Sequence, residues 1–115
     1  MKLEDLPFPI RNYFEVERGE ATAACFVEDA TVWDNGEDKV LHGIGEIRDW
    51  LSKDISQYNL RTQLNSASEH DGEVAVGAVV SGDFPGSPYE FSYRFKLEGK
   101  RIKELAIDPI GPVEQ

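Results

Sequence analysis

The segment 26–51, FVEDATVWDNGEDKVLHGIGEIRDWL, constrains the fold more than any other stretch of the chain. It reads as the end of a short helix, a strand, a polar turn and a second helix. The turn is Asn35-Gly36-Glu37-Asp38, four residues whose composition breaks regular structure. The helix spans 44–56, where Ile44, Ile47, Trp50, Leu51 and Ile55 recur at three- and four-residue spacing and give it one buried face. Glu46, Arg48, Asp49 and Lys53 fall on the opposite face. Asp34 stands at the end of the strand, where its carboxylate can point into whatever strand and helix enclose.

The flanking sequence extends the pattern. A first helix is predicted over 6–18, with Pro7 and Pro9 at its entrance, where proline is tolerated. Ile10, Tyr13, Phe14 and Val16 form its apolar stripe, and Gly19 is its stop. A short alanine-rich helix follows over 20–26, then the strand over 30–34. Four more strands are predicted over 60–68, 73–83, 89–97 and 101–107, with a tail over 111–115. In the second of these, Val74, Val76, Ala78 and Val80 share one face. The small residues of its other face leave room for a ligand or another element. In the third, Tyr89, Phe91, Tyr93, Phe95 and Leu97 alternate with Glu90, Ser92, Arg94 and Lys96. Glu98-Gly99-Lys100 is a hairpin turn. Helices set apart from a run of antiparallel strands predict an α+β fold with a curved sheet wrapped over the helices. At 115 residues the chain has length for one core and too little for two, so one domain spans 1–115.

Charge excludes several classes of partner. The formal net charge is −10, which argues against nucleic acid and against anionic membrane surfaces. No apolar run approaches the roughly 20 residues that a membrane span needs. The N-terminal MKLEDLPFPIRNYF has acidic residues and prolines where a secretory signal is basic and then apolar, so a cytoplasmic location is expected. Cys25 is the single cysteine and sits in an apolar run, which excludes an intramolecular disulfide and a cysteine metal cluster. His42 and His70 lack ligand spacing, and no metal site is expected. Gly43-Ile44-Gly45 lacks the further residues of a phosphate loop and reads as a helix entrance.

Tyr13-Phe14, Gly19, Phe26, Asp29-Ala30-Thr31-Val32, Asp34, His42-Gly43, Ile47-Arg48, Trp50-Leu51 and Tyr93-Arg94-Phe95 before Gly99 carry a family likeness. Over nearly its whole length the chain resembles the nuclear-transport-factor-2-like superfamily, in the style of its SnoaL-like and ketosteroid-isomerase-like members. The resemblance implies a cone-shaped barrel: a strongly bent antiparallel sheet around N-terminal helices, with an internal pocket. It also implies a homodimer through the outer sheet face and an apolar small-molecule ligand. If the chain is an enzyme, the implied reaction is cofactor-free proton transfer next to a carbonyl, as in isomerases, cyclases or dehydratases. The competing reading is a non-catalytic ligand-binding or dimerisation module. A protein-docking sheet face is a third, which needs an exposed apolar patch.

The resemblance assigns roles, and each stands beside a plainer one. Asp34 is the expected base, which needs a partly apolar cavity to raise its pKa; otherwise it caps the Asn35-Gly36 turn. Tyr13 is the expected oxyanion donor; otherwise it packs in the core. His42 pairs with Asp34 across the turn, or is a loop histidine before the helix. Asp83 lines the pocket, or ends a strand before Phe84-Pro85-Gly86. Trp50, Phe91 and Tyr93 form an apolar ligand wall, or are core. Trp33 alternates with Asp34 and so faces outward. Ketosteroid isomerases need a protonated acid on a late strand, and the resemblance puts that position at Phe91. True ketosteroid isomerisation is therefore not expected. Epoxide-hydrolase relatives use an arginine and an aspartate two apart, which Arg94-Phe95-Lys96 does not supply.

Overall fold

A computed structural model of the chain describes residues 1–15, 20–55 and 58–113. After a short turn at Leu3–Asp5, helix α1 spans Phe8–Glu15. Its N-terminus is set by Pro7, whose carbonyl accepts the Ile10 and Arg11 N–H groups at 3.0 Å. Pro9 sits in the first turn, where its missing N–H has no helical partner to lose. The expected contribution of Val16 and the stop at Gly19 lie outside the described residues. Helix α2 is the short Glu20–Ala23. Strand β1 then runs over Phe26–Asp34, four residues earlier than predicted.

Lys39–His42 forms a further strand, β2, that the sequence reading takes as the approach to a helix. Four residues between a turn and a helix carry too little alternation to show a strand. Helix α3 begins at Gly43 and ends at Asp49, and a π-helical segment, Trp50–Ile55, carries it on. Gly43 has φ 84°, which favours glycine at the switch from strand to helix. Ile47, Trp50 and Leu51 are buried as their spacing predicts, with Ile44 packed beside them. The side chain of Ile55, and Ser56, lie outside the described residues.

The remaining strands are β3 (Arg61–His70), β4 (Glu73–Ser81), β5 (Tyr89–Glu98) and β6 (Arg101–Pro112). The six form one open sheet in the order β2-β1-β6-β5-β4-β3. All neighbours are antiparallel except β1 and β6, which run parallel. This departs from an all-antiparallel sheet. The chain between β1 and β6, with its helix and four strands, is the long connection that parallel neighbours need. Irregularities in register fall in β1–β6, β3–β4 and twice in β5–β6. Bulges of this kind bend a strand and increase its twist, and the sheet curves into a cone that is not closed.

The inner face is the core. Val74, Val76, Ala78 and Val80 of β4 are all buried, as are Tyr93 and Phe95 of β5 and Ile102, Leu105 and Ile107 of β6. The helices cover part of this face: Ile10 and Tyr13 of α1 and Ile47, Trp50 and Leu51 of the later helix complete the same cluster. No helix among the described residues is long and apolar enough to cross a membrane.

Candidate functional site

Asp34 extends a buried row. Ala30, Val32 and Asp34 alternate along the inner face of β1, and the third of them is a carboxylate only 5 % exposed. A charged group there needs partners. The Trp50 indole N–H donates to Oδ2 at 2.9 Å, from the helix packed across β1. The Glu37 backbone N–H meets Oδ1 at 3.4 Å as the chain turns back. Asp34 therefore fixes its turn and also receives a buried donor from a different element. Burial pushes its pKa up, the Trp50 bond pulls it back, and the neighbouring Glu37 charge pushes it up again. The net direction is upward.

The carboxyl lies on the wall of a cavity of about 410 Å³. Tyr13, Phe91 and Tyr93 line the same space, so these three sequence candidates meet Asp34 there. Tyr13 is also deeply packed, edge-on to Phe14, Phe26 and Phe95 with ring centroids 5.1, 6.0 and 5.7 Å away. Tyr13 thus belongs to the core and also borders the cavity. Phe91 occupies the place where the resemblance expects an acid. A Cβ built on Gly36 would lie 3.5 Å from both Asp34 Oδ1 and Phe91 Cε1, so Gly36 sits between the carboxyl and the ring on the cavity wall.

Three expectations are corrected. In the β1–β2 pair Asp34 faces Lys39, while His42 faces Thr31, three rungs along. That is about 10 Å of strand, and Thr31 and Asp34 point to opposite faces. His42 is exposed, its backbone N–H bonded to Glu46 Oε1 at 3.0 Å, and no Asp34–His42 pair forms. Asp83 is exposed and off the cavity wall. It accepts the Asn59 amide at 2.7 Å, and its N–H donates to the Tyr58 carbonyl at 2.7 Å, tying the segment before β3 to the end of β4. Trp50 does not line the cavity; it stands behind Asp34 and orients it.

Other wall residues were not singled out by the sequence. Glu37 lies on the wall and accepts the Tyr58 hydroxyl at 2.8 Å, a bond between residues 21 apart. Phe84 packs edge-on to Tyr58 with centroids 6.1 Å apart, and with Pro85 it forms the rest of this side of the cavity. In sequence, Glu37 and Phe84 belong to turns and Tyr58 to an unassigned segment. Only the curvature of the sheet brings them together. Leu60, Val80 and Ile107 supply the aliphatic wall. Among the described residues no group of three or more His, Cys, Asp or Glu side chains gathers as a metal site.

Trp33 lies on the outer sheet face, where it shares a depression with Arg94, Lys96, Glu73 and Glu104. Cys25 is buried against the Asn12 amide at 3.3 Å, and burial pushes its thiol pKa up, the reverse of what a reactive thiol needs.

No family model matches the sequence, and no curated protein matches it. Solved structures do. A candidate polyketide cyclase from Sinorhizobium meliloti is 28 % identical, with a TM-score of 0.84 over 94 % of this chain and 100 % of that one. A protein with a ketosteroid-isomerase-like fold from Catenulispora acidiphila, solved in complex with trimethylamine, is 18 % identical, with a TM-score of 0.74 over 88 % of this chain and 84 % of that one. A nuclear-transport-factor-2-like protein of unknown function from Cytophaga hutchinsonii is 14 % identical, with a TM-score of 0.62 over 78 % and 73 %. The latter two show the fold alone, and the first extends the likeness to full length. With its bent open sheet, helical cover and inward-facing cavity, this chain has the fold of the ketosteroid-isomerase-like and nuclear-transport-factor-2-like proteins.

Proposed function

We propose that the chain binds an apolar small molecule in this cavity and moves a proton next to a carbonyl with Asp34 as the acid–base group. One observation carries this reading: a carboxyl that is 5 % exposed, held by an indole N–H and raised in pKa by burial, on the wall of an aromatic cavity. A raised pKa moves an aspartate toward the range where it both takes and returns a proton. Oδ2 is engaged by Trp50, while the turn supplies backbone N–H groups to the carboxyl from Gly36 and from Glu37, the latter 3.4 Å from Oδ1, and a carboxylate oxygen has a second lone pair for substrate. In the proposed step Oδ1 takes a proton from the carbon beside the carbonyl, and the C–H electron pair moves into an enolate. Return of the proton at another carbon is isomerisation, attack of the enolate on a second carbonyl is an aldol-type cyclisation, and loss of a β-hydroxyl is dehydration. The likeness to a candidate polyketide cyclase supports the middle course.

An enolate needs a donor for its oxygen. Phe91 cannot serve, so the part falls to a wall phenol, with Tyr13 the residue that the resemblance offers. The test is α-deuterium exchange, followed by NMR, on a panel of enolisable ketones and β-dicarbonyl compounds. Wild type is expected to exchange at least one of them, and Asp34→Asn to lose about a hundred- to ten-thousand-fold of that rate. Exchange unaffected by the substitution would remove Asp34 from the reaction.

The ring at Phe91 favours a second reading, a binder without catalysis. On it, wild type and Asp34→Asn bind the same compounds and neither exchanges a proton. In either reading we propose a homodimer through the outer sheet face. The patch around Trp33 carries both signs of charge, Arg94 and Lys96 with Glu73 and Glu104, as an isologous contact between two copies needs. Light scattering after size exclusion reads the mass directly.

A further inference from the structure

The cavity wall carries charge of one sign. Among its described residues the ionisable acids are Asp34 and Glu37, and no Lys, Arg or His joins them. The rest of the wall is dominated by rings. Phe84 and Tyr58 stand edge to face on one side, and Tyr89, Phe91 and Tyr93 follow one another along β5 on the other, with centroids 5.3 and 6.5 Å apart. Ring faces are negative, and rings grouped around a space attract a cation entering it. Glu37 adds to this at the turn. Its Oε1 is held by the Tyr58 hydroxyl at 2.8 Å, and its Oε2 has the Lys39 ammonium at 3.8 Å, from a side chain that does not line the cavity. One partly exposed ammonium at that distance offsets one of two carboxylates at most. An anionic ligand would meet two acids and no counter-charge, and a neutral one would leave Glu37 without a partner charge in the cavity.

We propose that the cavity selects a ligand with a cationic amine or quaternary ammonium group on an apolar body, its head among the rings of Tyr58, Phe84 and Phe91 and beside Glu37. This deepens the proposed function by naming the charge of the substrate and rests on the same cavity. The carbonyl chemistry at Asp34 and the ammonium preference at Glu37 then concern different parts of one molecule.

The test is a calorimetric titration of the full chain with three probes of similar size: benzyltrimethylammonium, its uncharged isostere neopentylbenzene, and phenylacetate. The ammonium is expected to bind at least about ten-fold more tightly than the neutral probe, and phenylacetate more weakly than either. Glu37→Gln is expected to weaken the ammonium several-fold and to leave neopentylbenzene within two-fold. Lys39→Ala, which removes the competing ammonium at an exposed site, is expected to tighten it. Neutral and cationic probes binding alike, phenylacetate binding best, or no binding by any of the three would overturn the proposal. So would an ammonium affinity unchanged in both variants. The two readings separate cleanly. Asp34-dependent exchange on neutral ketones without ammonium preference sinks this inference alone. Ammonium binding without exchange on any carbonyl compound, amine-bearing ones included, sinks the catalytic reading alone.

Discussion

Strand β5 places an aromatic ring at every second position from Tyr89 to Phe95, yet its two halves do different things. Phe95 and Tyr93 are buried and meet Tyr13 and Phe14 of α1, with Phe14 edge-on to both rings. Phe91 and Tyr89 are half-buried and border open space. The residue chemistry is the same and the cover is not. Among the described residues helix α1 spans Phe8–Glu15, a length of about 12 Å, and its Tyr13 and Phe14 cover the Tyr93–Phe95 end of β5. Beyond it the cover is Tyr58, Phe84 and Pro85, which stand off from the sheet and leave the cavity. Alternation in a strand decides which face is apolar; the reach of the covering helix decides whether that face becomes core or binding site.

Substitutions at the two ends should separate these roles. Phe95→Ala, at the packed end, is expected to cost about 3–5 kcal/mol in urea unfolding, because neighbours pinned by several rings cannot collapse into the space. Trp50→Phe comes next, at about 1–3 kcal/mol, since it leaves a buried carboxyl without its side-chain donor. It should also raise the Asp34 pKa further, because the Trp50 bond is the largest of the contacts that lower it. Phe91→Ala, at the open end, is expected to cost only about 1 kcal/mol while enlarging the cavity and weakening apolar ligands. Equal losses for Phe95→Ala and Phe91→Ala would break the comparison.

The packed end was far more legible in the sequence than the open one. Val74 to Val80 and Tyr89 to Leu97 show period-two alternation, and Ile47, Trp50 and Leu51 show helical spacing, so the core faces follow from local pattern. Asp34 was legible too, because it continues the apolar row of Ala30 and Val32. The cavity's far side was not. Glu37, Tyr58 and Phe84 come from a turn, an unassigned segment and a loop, and no local period marks residues that meet only through sheet curvature. His42 misled for a related reason. Eight residues from Asp34 across a turn suggests a pair, but the hairpin register sets it three rungs away on the other face. Asp83 and Trp50, expected on the pocket wall, lie off it: one ties down a loop, and the other grips Asp34 from behind.

The raised Asp34 pKa also fixes a sign for stability. A carboxyl that holds its proton more tightly in the folded state favours folding while protonated. That contribution is complete below the ordinary aspartate range and is lost as pH rises through the folded-state pKa. Asp34→Asn keeps an oxygen for the Trp50 N–H and cannot ionise. It is therefore expected to melt above wild type at neutral pH, with the gain shrinking on acidification.

The most direct measurement is the titration of the Asp34 side-chain carboxyl, followed by carbon NMR on selectively labelled protein and assigned with Asp34→Asn. A midpoint above the ordinary aspartate value, rising further in Trp50→Phe, is what a buried acid–base group on the cavity wall requires. A midpoint at or below that value would mean a carboxylate held ionised by its donors, serving the turn and the Trp50 contact rather than proton transfer.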